Sequence, residues 1–95
     1  MLLKAGVDIS RLNRQITKAL YKANNQYELY DEEMVVTSTY EGNHSAGSLH
    51  YADNAFDTRK PEEWGEEIID GIRDTCGKDF DVVAEDDHLH IEYDP

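Results

Sequence analysis

Phe80-Asp81-Val82-Val83-Ala84-Glu85-Asp86-Asp87-His88-Leu89-His90-Ile91-Glu92-Tyr93 reads as two short strands joined by an acidic turn. Valine and aromatic residues favour the pleated surface of a sheet, and the run Glu85-Asp86-Asp87 interrupts them. In the second strand, about His88 to Tyr93, successive side chains alternate across the sheet. Leu89, Ile91 and Tyr93 therefore face one way, and His88, His90 and Glu92 the other. The first face asks for a cover of apolar residues, whereas the second carries imidazoles and a carboxylate.

Upstream of this hairpin, Trp64, Ile68, Ile69, Ile72 and Cys76 recur at helical spacing and predict a helix that starts near Pro61 and ends at Gly77. Gly77 suits the left-handed terminating position, and Gly65 and Gly71 make the helix weak in isolation, so packing must hold it. Near the start of the chain, Ile9, Leu12, Ile16, Ala19, Leu20 and Ala23 predict another helix from Asp8 to about Ala23, capped by Asp8 or Ser10 and weakened at Asn24-Asn25. Between the helices, Met34 to Tyr40 reads as a β-branched strand, residues 41 to 50 as a polar loop and Asn54 to Thr58 as a short extended piece. The fold class expected is α+β, a small antiparallel sheet with two helices packed on one side and the chemistry on the other.

At 95 residues the chain is expected to form one domain, 1–95, with a thin core to which a bound metal could contribute stability. Its formal net charge of −12 would repel phosphate backbones, so nucleic acid is excluded as a partner. Lys4, Arg11, Arg14, Lys18 and Lys22 stand against Asp8 alone in residues 1 to 22, and they fall opposite the apolar stripe of the first helix, as a solvated face does. Cys76 is the single cysteine, which rules out an internal disulfide and a thiolate metal cluster. Met1 to Val7 is too short and too weakly apolar for a signal peptide or a membrane span, so no membrane insertion is expected.

All four histidines and Asp57 fall in the loop and strand segments above. Neutral imidazole and carboxylate suit zinc, and a catalytic zinc keeps three protein ligands with a fourth position open. Spacing alone is a weak signal here; the surrounding residues strengthen it. Ser48-Leu49-His50-Tyr51-Ala52-Asp53-Asn54-Ala55-Phe56-Asp57 resembles the Ser-x-His-x-x-Gly-x-Ala-x-Asp motif of zinc D-Ala-D-Ala carboxypeptidases and dipeptidases. It resembles the hedgehog signalling domain still more closely, through Ser-Leu-His-Tyr, Val36-Thr37, Gly42-Asn43-His44-Ser45 and His88-Leu89-His90. The resemblance covers most of the chain from about residue 9 onward, including the order of elements.

Carried over position by position, the resemblance implies zinc ligation by His50, Asp57 and His90. His88 then becomes an active-site neighbour able to orient water or stabilise an oxyanion, although an exposed polar position also accounts for it. Ile91-Glu92 resembles the apolar-acidic continuation in the peptidases, and Glu92 is equally compatible with a solvent-facing edge position. Ser48 and Tyr51 are candidate substrate-binding residues, and His44 reads as a surface loop histidine. Asp87, three residues before the last ligand, and Glu85, five before it, are the candidate general bases.

The chain departs from the motif where Asp53 replaces glycine and where Glu41 replaces the arginine that binds the substrate carboxylate in many of the peptidases. By resemblance the substrate is a peptidoglycan stem peptide, hydrolysed by a zinc metallopeptidase at the cell wall or in a phage particle. The alternative is a zinc-binding interaction module like the hedgehog domain. Calcium beside zinc is a further expectation of the resemblance, with Asp31, Glu32, Glu33, Glu41 and Asp53 as candidate donors.

Overall fold

The stripe Ile16, Ala19, Leu20, Ala23 and Tyr27 builds helix α1, Arg14–Leu29, in the computed structural model, which describes residues 1–39 and 53–95. The helix starts six residues later than its periodicity predicts. Asp8 does use its carboxylate on a nearby amide, accepting from Ser10 N–H at 2.8 Å, but it closes a local turn instead of capping a helix. Ile9 and Leu12 still pack against the core, from irregular backbone. At the other end α1 continues through Asn24-Asn25. Tyr27 is the next position on the buried stripe, and Asn24 donates to Glu28 at 3.0 Å one turn on. Burial of Tyr27 overrides the weak local propensity of the asparagines.

Helix α2, Gly65–Cys76, starts four residues after Pro61 because the Glu32 carboxylate accepts the Glu62 and Trp64 amides at 2.6 and 3.0 Å. Ile68, Ile72 and Cys76 are buried. Trp64 leaves the stripe, lies 43% exposed and rests on Tyr30 with ring centroids 5.5 Å apart. Gly77 has φ 88° and ψ −175°, a positive-φ extended conformation reserved for glycine and distinct from the left-handed helical one expected. A Cβ at Gly71 would meet the side-chain amide of Gln26 in α1, which would have to move.

Among the described residues, five strands complete the sheet: β1 Leu2–Leu3, β2 Val35–Ser38, β3 Ala55–Thr58, β4 Phe80–Ala84 and β5 Leu89–Tyr93. Their order is β1-β2-β3-β5-β4. All neighbouring pairs are antiparallel except β1 with β2, so the sheet is mixed where an antiparallel one was expected. Two residues are too short to show a strand period; β1 exists because Leu2 N–H and Lys4 N–H bond the Met34 and Val36 carbonyls, each at 2.9 Å. Both helices cover one face of the sheet, where Val36, Phe56, Val82, Leu89 and Ile91 meet Ile16, Leu20, Tyr27, Ile68 and Ile72. Among the described residues no helix is long and apolar enough to cross a membrane.

Candidate metal centre

Asp57 of β3 and His90 of β5 stand directly opposite each other in the antiparallel register. Phe56 and Thr58, their neighbours in β3, are buried on the helix side, as are Leu89 and Ile91 in β5. Alternation therefore delivers Asp57 and His90 to the face that the helices leave uncovered. His90 Nδ1 lies 2.8 Å from Asp57 Oδ1, and His90 Nε2 lies 3.2 Å from Glu92 Oε1. The hydrogen bond to Asp57 holds the His90 pKa above its ordinary 6.5, more than offsetting burial of the ring.

His88, just before β5, shares this face, with Nε2 3.9 Å from Asp57 Oδ2. Its other nitrogen, Nδ1, meets Asp87 Oδ1 at 2.6 Å. The hydrogen bond to His88 lowers the Asp87 pKa below 3.8 even though that carboxylate is exposed. Glu85 is also exposed; its amide donates to the His88 carbonyl at 2.9 Å and closes the β4–β5 turn. Asp57, His88, His90 and Asp87 thus form a connected group, to which Glu85 contributes the turn. The remaining expected residues, His50, Ser48 and Tyr51, and with them Glu41 and His44, lie outside the described residues.

Asp53, at the position of the motif glycine, adopts φ 61°. Glycine enters that left-handed region freely, whereas a side chain there costs on the order of 1–2 kcal/mol, least for aspartate and asparagine. The Asp53 carbonyl accepts the Asn13 amide at 2.9 Å, the Asn13 and Asn54 side chains are hydrogen-bonded, and Arg11 lies 3.9 Å from the Asp53 carboxylate. The segment before α1 consequently anchors the backbone entering β3. That anchoring explains why residues 11–13 are not helical.

The donor chemistry of Asp57 and His90 fits zinc: one carboxylate oxygen and one imidazole nitrogen already share a partly buried position. His50, the third ligand expected from the sequence, lies outside the described residues. Among the described residues, the group of three potential ligand atoms lying within 4.8 Å of one another is Asp81, Glu92 and Asp94. These carboxylates could hold a metal ion, although exposed acidic groups often gather without one. Sequence reading missed them as a group, but the signal was available: Asp81 and Glu92 pair across β4 and β5 at equal distances from the turn.

Of the calcium candidates, Glu41 lies outside the described residues. Glu32 is occupied with the Glu62 and Trp64 amides, Glu33 meets the Met1 amine at 3.0 Å, and Asp53 lies beside Arg11. Asp31, Glu32 and Glu33 line an open cleft of about 500 Å³ with Arg59 and Lys60. Cys76 is buried in the helix layer, and burial raises its pKa above 9.0, which disfavours a reactive thiolate. Comparison with protein-family models, with curated proteins and with solved structures gave no match to this chain.

Proposed function

We propose that this chain binds zinc through His50, Asp57 and His90 and acts as a small metallopeptidase of the hedgehog and D-Ala-D-Ala carboxypeptidase kind, hydrolysing amide bonds in peptidoglycan stem peptides. The observation that carries this reading is the cross-strand Asp57–His90 pair, with its 2.8 Å nitrogen–oxygen separation on the sheet face opposite the helices. When bound, zinc supplies a Lewis acid that polarises a scissile carbonyl and activates water. His50, Asp57 and His90 hold it, while Ser48 and Tyr51 position the peptide. His88, oriented by Asp87 at Nδ1, presents Nε2 towards the ligand side, where it stabilises developing negative charge or passes a proton. Glu85 is the other carboxylate proposed near the reacting peptide. Such a protein would act at the cell wall or within a phage particle.

A second reading is favoured by one observation. Asp87 sits at the expected base position, yet its hydrogen bond to His88 lowers its basicity. A weak base supports a zinc-holding interaction module with little or no turnover.

Metal analysis of purified protein tests the site: wild type should carry about one zinc, and His50→Ala and Asp57→Ala should each lose it. Retention of zinc by both variants would refute the ligand assignment. Incubating zinc-loaded protein with muropeptides and following release of D-alanine or shorter fragments separates the two functions. Turnover supports the peptidase, and an intact panel supports the interaction module.

A further inference from the structure

We propose that Glu92 is a positioning residue for the metal centre: it holds the Nε2–H of His90 and so reserves Nδ1 for the ion shared with Asp57. This rests on the zinc reading above. His90 has two ring nitrogens with separate partners, Asp57 Oδ1 at 2.8 Å from Nδ1 and Glu92 Oε1 at 3.2 Å from Nε2. Asp57 is itself a proposed ligand, so the nitrogen beside it is the one able to share an ion with it. The other nitrogen then keeps its proton and needs an acceptor. Glu92 lies two residues along the same strand, on the same face, and supplies that acceptor without any change of backbone.

A carboxylate on the outer N–H of a ligating histidine fixes its tautomer and ring orientation and raises its basicity as a ligand. Glu67 provides the control, because it carries the same charge from an exposed position on α2, across the sheet from Asp57 and His90.

The test is zinc affinity, measured by competition with a chromophoric chelator, together with the visible spectrum of the cobalt-substituted protein. Glu92→Ala should weaken zinc binding by about 10–100-fold and alter the cobalt spectrum. Glu92→Gln, whose amide oxygen can still accept from Nε2–H, should recover part of the affinity. Glu67→Ala should remain within about threefold of wild type. Thermal unfolding of each metal-free variant confirms that it folds. Wild-type affinity in Glu92→Ala, or an equal loss in Glu67→Ala, would overturn the proposal while leaving the zinc site standing. Absence of zinc binding by the wild type would instead overturn the reading on which it rests.

Discussion

His90 and Tyr27 show how one hydrogen-bonded side chain ties stability to pH. In metal-free protein the His90 pKa is raised, first by its hydrogen bond to Asp57. The folded state therefore binds the proton more tightly than the unfolded state. Its stabilising contribution is full below the unfolded value of 6.5 and is lost as pH rises through the folded one. NMR titration of the imidazole should place His90 above 6.5, and Asp57→Asn should move it down. Tyr27 behaves as a buried acid: desolvation pushes its phenol up to about 12 while it donates to the Arg59 carbonyl at 2.6 Å. Between pH 10 and 12 the unfolded chain releases this proton and the folded chain keeps it, so stability falls with rising pH. The total contribution is about 2–3 kcal/mol. Denaturant titrations at pH 9 and 12 should resolve this loss, and Tyr27→Phe, though destabilised at neutral pH by its missing hydrogen bonds, should lack that alkaline step.

At the scale of elements, the two glycines of α2 have opposite meanings. Gly65 has open space where a Cβ would stand, whereas Gly71 faces Gln26 of α1. Gly65→Ala should stabilise the protein by up to about 1 kcal/mol through helix propensity. Gly71→Ala gains the same propensity but must displace the Gln26 side chain. A double-mutant cycle of Gly71→Ala with Gln26→Ala should therefore show coupling of about 0.5–1 kcal/mol, with the alanine better tolerated once Gln26 is shortened. Chemical denaturation of the four proteins measures it. Both helices were legible from their apolar periods, since Ile16, Leu20, Ile68 and Ile72 are all buried. Their starts were not. Asp8 turned to Ser10, and Glu32 took the amides ahead of α2, and neither choice leaves a periodic trace.

For the whole molecule, a small core makes a bound ion a large part of stability. Zinc at a free concentration a thousandfold above its dissociation constant should add about 4 kcal/mol. At roughly 4–8 °C per kcal/mol for a chain of this size, a chelator should lower the midpoint of thermal unfolding by well over ten degrees. Calorimetry with and without chelator measures the shift, and Asp57→Ala should abolish it.

Alternation in residues 88–93 was enough to determine which side of β5 would be buried, because a strand has a period of two and only Leu89 and Ile91 could join the core. The helical periods likewise determined the covering layer. Tertiary structure alone decided that Asp57 would meet His90, since strand order and register are long-range choices with no local signature. It also added β1 to the far edge through backbone hydrogen bonds, which carry almost no side-chain information. The proposed role of Glu92 came into view for the same reason: its position on the strand could be counted in the chain, but its bond to His90 required both ring nitrogens to have been placed by the sheet.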